Sequence, residues 1–187
     1  AQDAAGPWGY CVGNDGVVLR SVDDGVTWTQ LSVIETPTNH PKHPNLAPEL
    51  WDVWFENRLH GYVVGFENTV VETCDGGLTW IDISAPGHVQ SANPKWYRLH
   101  VFAPGEFVTT GDFGWVMRLN ADGSKAAFRI PESWWCYLPQ LQVPQPYDLQ
   151  LYGLDFVGDV GFAVGGVGNN DGYVFRSEDR GQTWALD

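Results

Sequence analysis

The chain has 187 residues and a formal net charge of −13, from 10 Lys and Arg against 23 Asp and Glu. A field of that sign repels phosphate backbones and anionic head groups, which argues against nucleic acid and acidic membranes as direct partners; no apolar run approaches the ~20 residues of a membrane-spanning helix. With 43% hydrophobic residues, 10 Trp and 22 Gly, the composition excludes a disordered chain and points to an all-β one, glycine turns separating aromatic and β-branched segments.

The first residues, Ala1-Gln2-Asp3-Ala4-Ala5, resemble the small-residue stub left when a signal or transit peptide is cut, so export is expected. Gly9-Tyr10-Cys11-Val12-Gly13 then reads as a strand, and Ser21-Val22-Asp23-Asp24-Gly25-Val26-Thr27-Trp28 as a turn ending on a large aromatic. Both patterns return. Gly61-Tyr62-Val63-Val64-Gly65 precedes Thr73-Cys74-Asp75-Gly76-Gly77-Leu78-Thr79-Trp80. Gly161-Phe162-Ala163-Val164-Gly165 precedes Ser177-Glu178-Asp179-Arg180-Gly181-Gln182-Thr183-Trp184. The interval from Trp80 to Trp184 is twice that from Trp28 to Trp80. A weaker copy lies midway: Glu106 to Gly111, then Asn120-Ala121-Asp122-Gly123-Ser124, with Phe128 in place of Trp.

Each complete unit reads as four short strands. The clearest is the second, with strands expected over 50–55, 61–66, 69–73 and 79–83. Four antiparallel strands per repeat describe a β-propeller blade. The expected fold is one all-β domain over 1–187, a β-propeller or propeller-like arc of about four four-stranded blades. The blades are placed at about 8–33, 50–84, 96–130 and 148–187, with insertions over 35–49, 85–95 and 131–147. Only eight residues precede Gly9, so the first blade is expected to lack its first strand and to leave an open edge for another chain.

The boxes have a mechanical reading. Asp followed by Gly makes a tight turn, the Asp carboxylate and Ser or Thr hydroxyl take up turn amides, and Trp packs between sheets. The structural set is Ser21, Asp23, Gly25 and Trp28; Thr73, Asp75, Gly77 and Trp80; Asn120 and Asp122; and Ser177, Asp179, Gly181 and Trp184.

This Ser-x-Asp-x-Gly-x-Thr-Trp pattern is similar to the Asp-box of BNR/sialidase-type propellers. With the Gly-aromatic-x-Val-Gly segment before it, the chain resembles over residues 8–187 the photosystem II assembly factor (Hcf136/Ycf48-like) family. The resemblance implies a non-enzymatic binding or scaffolding subunit, periplasmic, thylakoid-lumenal or extracellular, docked on another protein or a membrane-associated complex. The alternative is a carbohydrate-binding or sialidase-like glycosidase propeller. Phe128-Arg129-Ile130-Pro131 is similar to the sialidase Phe/Tyr-Arg-Ile-Pro motif, but it follows a degenerate box rather than opening the repeat array. No catalytic residue is expected.

Strand direction puts the boxes on one face and the long insertions on the other, together with loops carrying Asp15, Glu67, Asp112 and Asp171. These carboxylates could concentrate a cation such as Ca2+ or meet a basic partner; Asp, Asn and Gly are also what tight turns require. Trp134 and Trp135 read either as exposed anchors or as a lid over the blades. No resident cofactor or metal is expected. His40 and His43 are separated by Pro41 and Lys42 in a solvated linker, and His60, His88 and His100 are scattered. Cys11 is expected to be buried. Cys74 and Cys136 are expected on opposite faces, leaving no intrachain disulfide.

Overall fold

The computed structural model describes residues 2–3, 6–35, 47–84, 94–130, 149–167 and 171–187. They divide into two compact units, Ala1–Pro86 and Gly87–Asp187. Among the described residues regular structure is strand throughout, save one 3₁₀ turn over Asn14–Gly16.

Unit 1 begins with a two-stranded ribbon, β1 (Gln2–Asp3) against β2 (Gly6–Pro7). A three-stranded antiparallel sheet follows: β3 (Gly9–Val12), β4 (Val18–Ser21) and β5 (Thr29–Gln30). The next sheet has four strands in sequence order: β6 (Leu50–Phe55), β7 (Gly61–Gly65), β8 (Val70–Thr73) and β9 (Ile81–Asp82). Unit 2 repeats the plan twice. One sheet is β10 (Trp96–Ala103), β11 (Glu106–Gly111), β12 (Trp115–Leu119) and β13 (Lys125–Arg129). The other is β14 (Leu149–Val157), β15 (Val160–Val167), β16 (Asp171–Ser177) and β17 (Ala185–Leu186). The described residues are thus all-β, with four blade-type sheets, the first one strand short among them. Where strands were expected over 79–83, pairing is confined to β9, because the box turn keeps the preceding residues for its own hydrogen bonds.

The period-2 pattern of the strands produces the cores. In unit 1, Val18, Ile34, Leu50, Val63 and Val71 are buried together, with Tyr10, Val53 and Trp80 packed against them. In unit 2, Val108, Val116, Leu149, Leu151, Phe156, Ala163, Phe175 and Trp184 do the same. Trp96 and Tyr97, at the entry to the third sheet, are also buried.

Within each unit the two sheets are coupled at a glycine of positive φ. Gly16 (φ 64) accepts from Ile34 N at 2.9 Å and donates to Pro48 O at 2.8 Å. Gly114 (φ 68) accepts from Ile130 N at 3.0 Å and donates to Leu149 O at 2.9 Å. The turn between a sheet's second and third strands therefore grips both the end of its own last strand and the approach to the next sheet. A Cβ at Gly16 would lie 2.1 Å from Ile34 O, so no larger residue fits this grip.

Cys11 departs from expectation. It is exposed, whereas Val63 and Ala163, at the same position of later blades, are fully buried. The physical reason is the missing strand. β3 pairs with β4, and no described strand pairs along its other edge, where β6 and β14 cover their neighbours.

Candidate functional site

The boxes are closed hydrogen-bond circuits. Ser21 Oγ accepts from Gly25 N at 2.9 Å and donates to Asp23 Oδ1 at 2.8 Å. Asp23 accepts from Thr27 N at 2.9 Å and Thr27 Oγ1 at 2.6 Å. Thr73, Asp75, Gly77 and Thr79 repeat the circuit, as do Ser177, Asp179, Gly181 and Thr183. The degenerate copy is smaller: Asn120 Nδ2 donates to Ser124 Oγ at 2.9 Å, and Ser124 N and Oγ donate to Asp122. Accepting hydrogen bonds favours the ionised carboxylate. Asp75 is lowered to about 2, chiefly by the Thr79 hydroxyl and amide. Asp23, chiefly through Thr27, and Asp122, chiefly through Ser124, are also lowered. These carboxylates are committed to their own turns.

The four loop carboxylates are not equivalent. Asp15 is exposed in the left-handed region (φ 57), and Glu67 is half-buried with φ 58. Both occupy the second-to-third-strand turns of unit 1. Asp171 opens β16, opposite Val167. Asp112 is buried, 5% exposed, and its Oδ1 accepts from Lys95 N at 2.8 Å. Burial raises its pKa to about 6 against the opposing pull of the Lys95 amide and the Lys95 and Arg129 charges. It fastens the start of β10 to the end of β11. Trp134, Trp135, Cys136, His40, His43 and His88 lie outside the described residues.

Arg129, in the segment similar to a sialidase motif, lies over the Trp115 ring, Cζ 4.9 Å from its centroid. Arg118 is buried and triply engaged: with Glu106 Oε1 at 2.8 Å, with Asn120 Oδ1 at 2.6 Å and with Arg180 O. Arg180 itself pairs with Asp159 at 2.6 Å. These arginines hold turns together within unit 2.

A further cluster joins residues that looked scattered in the sequence. His60 Nε2 lies 2.8 Å from Glu72 Oε1, and His60 Nδ1 lies 3.2 Å from Glu56 Oε2. Burial opposes protonation of His60, but the two carboxylates outweigh it and raise its pKa. Cys74 shares this cluster and is exposed. The readable signal was Glu72 and Cys74, two apart at a strand end and so on one side of it. His60 joins them only through the pairing of β7 with β8, which sets Tyr62 opposite Glu72.

Comparison with known proteins agrees with this architecture. Residues 39–131, close to half the chain, match the family model described as photosynthesis system II assembly factor YCF48. No curated protein matches the sequence. Among solved structures, the Niastella koreensis GH74 enzyme is 17% identical with a TM-score of 0.59, covering 100% of this chain and 28% of that one. YCF48 from Cyanidioschyzon merolae is 17% identical with a TM-score of 0.40, covering 96% of this chain and 69% of that one. A structure described as YCF48 bound to D1 peptide is 15% identical with a TM-score of 0.38; the match covers 96% of this chain, which spans 64% of that one. At 17% identity the likeness to the GH74 enzyme establishes fold alone, and function has to come from sites. The chain thus has a β-propeller-type repeat fold closed by Asp-box turns, and over residues 39–131 it resembles the family described as photosynthesis system II assembly factor YCF48.

Proposed function

We propose that this chain is a non-enzymatic binding and scaffolding module, exported to a periplasmic, lumenal or extracellular compartment, that captures an extended segment of a partner protein along β3. The role needs no resident cofactor. The observation that carries the reading is a pair of glycines without their usual neighbour. In the second and fourth sheets a first-strand aromatic sits on the first glycine of the repeat: a Cβ at Gly61 would lie 2.5 Å from the Phe55 ring, and one at Gly161 2.2 Å from Phe156. First-strand backbone crosses the second glycine: a Cβ at Gly65 would lie 2.3 Å from Glu49 O, and one at Gly165 1.8 Å from Gln150 O. Glycine stands at these positions because another strand passes over them.

The first sheet keeps both glycines without that strand. Among the described residues, a Cβ at Gly13 meets nothing within 4 Å, and one at Gly9 meets Trp28 Cη2 at 3.7 Å. The vacant edge is thus shaped for an extended segment rich in apolar residues with a Phe near its end, as in β6 and β14. A family model that describes an assembly factor, and a YCF48 described as bound to a D1 peptide, support polypeptide capture as the activity and a membrane-associated complex as its setting. In the last sheet Phe162, Val164 and Val174 are exposed on one face, a second apolar surface for association. Asp15 and Glu67, with Asp171, Trp134 and Trp135, are proposed as further contacts, for a basic partner surface or Ca2+.

The test is binding of a labelled peptide copying residues 49–56, with light scattering of the chain alone. The unmodified chain is expected to bind the peptide. Gly13→Ala should fold equally well, because its φ of −165 suits any residue, and should lose the peptide. Equal binding by Gly13→Ala would sink the edge reading. A mass at a multiple of 20.8 kDa would name a second copy as the occupant. A carbohydrate-recognising propeller is the second reading, favoured by the likeness to the GH74 enzyme. Loss of glycan binding in Trp134→Ala and Trp135→Ala would support it.

A further inference from the structure

On the box side of the second sheet, three ligand-type side chains converge. A His60 ring nitrogen, a Glu72 carboxylate oxygen and Cys74 Sγ all lie within 4.8 Å of one another. We propose that His60, Glu72 and Cys74 form a binding site for a borderline-soft divalent cation, Zn2+ by preference.

The donor set is the first argument. Imidazole, carboxylate and thiolate are the groups Zn2+ takes, and three protein ligands leave a fourth position for water or a partner's side chain. Bonds of ~2.0–2.3 Å in a tetrahedron set donors roughly 3.3–3.7 Å apart. Closing the site therefore requires the His60–Glu72 contact to open from 2.8 Å and Cys74 to swing inward, small rotations for half-buried and exposed side chains.

The outer contact is the second argument. His60 Nδ1 faces Glu56 Oε2 at 3.2 Å. A metal-bound imidazole usually donates its other N–H to a carboxylate, which fixes the tautomer and turns the lone pair of the opposite nitrogen to the metal. Here that opposite nitrogen is Nε2, the one beside Glu72.

The repeat supplies the third argument. In the last sheet the positions of Glu72 and Cys74 hold Arg176 and Glu178, whose side chains meet at 2.8 Å. Side chains two apart at this strand end therefore reach one another. The first sheet has Arg20 and Val22 there, so the ligand pair belongs to the second sheet and not to the box itself. The box circuit of Thr73, Asp75, Gly77 and Thr79 uses neither Glu72 nor Cys74. A neutral His60, ionised Glu72 and Cys74 thiolate balance a dication. Binding forms a metal–sulfur bond and releases the thiol proton, together with any proton on His60 Nε2, to water.

The competing account is a protonated His60 bridging Glu56 and Glu72, with Cys74 incidental. Titration of the full chain with Co2+, followed by absorption, separates the two. The proposal expects one Co2+ per chain, a thiolate-to-metal charge-transfer band, and displacement of both by Zn2+. Cys74→Ser should remove the band and weaken binding at least about tenfold, with unchanged far-UV circular dichroism; Glu56→Gln should weaken binding about tenfold while keeping the band. Cys11→Ser and Cys136→Ser should change neither. Absence of saturable Co2+ binding, or a band that survives Cys74→Ser, would overturn the site.

Discussion

Ser32 donates its hydroxyl to the Gly77 carbonyl at 2.8 Å, taking an acceptor that the box tryptophan uses elsewhere. Trp28 Nε1 donates to Gly25 O at 3.0 Å and Trp184 Nε1 to Gly181 O at 3.2 Å. The Trp80 ring lies against Gly77 in the same way, with Cζ2 3.3 Å from where a Cβ would stand. Yet Trp80 Nε1, shut off from water, has no acceptor among the described residues. The first sheet of unit 1 is thus tied to the box of the second through a bond that displaces the box's own.

Ser32→Ala should therefore be milder than the loss of an ordinary part-buried hydrogen bond, at or below about 1 kcal/mol, because the freed carbonyl can take the Trp80 indole. Urea unfolding of Ser32→Ala, Trp80→Phe and the double variant checks this. The double variant should lose more than the sum of the singles, since each single leaves Gly77 O one donor. Simple additivity would mean that the indole does not take over.

Acid should weaken the boxes. Asp75 has a folded pKa of about 2, below the ordinary carboxylate value of ~3.9. A depressed folded pKa gives stability that is present above the unfolded value and is lost as pH falls from about 4 toward 2. Asp23 and Asp122 act in the same direction. Asp179 does too, its burial outweighed by the Thr183 and Ser177 hydrogen bonds. Asp75→Asn keeps one oxygen for the Leu78 and Thr79 amides but lacks the second that accepts the Thr79 hydroxyl, and should lower the thermal midpoint near pH 5 and flatten its fall below pH ~4. Circular dichroism melts across this range are the measurement.

Asp112 should act in the opposite sense one window higher. Its folded pKa, about 6, lies above the unfolded ~3.9. The folded state then binds the proton more tightly, so this group's contribution is full below pH ~4 and is lost as pH rises toward 6. Asp112→Asn keeps an oxygen for the Lys95 amide and removes the charge. It should stabilise the protein at pH ~7 by on the order of 1–3 kcal/mol and flatten the melting profile between pH ~4 and ~6. A variant no more stable than the parent at neutral pH would contradict this.

The repeat made most of the fold readable. Leu50–Phe55 was legible as a strand because it is a short run of apolar and aromatic residues broken only by Asp52, and a glycine-aromatic copy follows. The boxes were legible because their partners lie within eight residues, so spacing alone implies the contacts. Asp112 was harder. It sits in the same kind of turn as Asp15, but it is buried and bonded to the Lys95 amide, a partner that sequence spacing does not locate. Cys11 misled for a related reason: its strand has the right pattern, but cover depends on a neighbour that pattern cannot supply. His60, Glu72 and Cys74 were each visible singly, and only strand pairing assembles them.

Within each of the four sheets every strand pairs with its neighbour in sequence, and each box closes within its own turn. Loop closure is therefore inexpensive in entropy at every step, which is the condition for rapid, local ordering during synthesis. The glycine grips at Gly16 and Gly114 come later, because each waits for the approach to the next sheet, at Pro48 and Leu149. A ribosome releasing this chain would expose one finished hairpin stack after another, each held provisionally until the following repeat emerges and locks it.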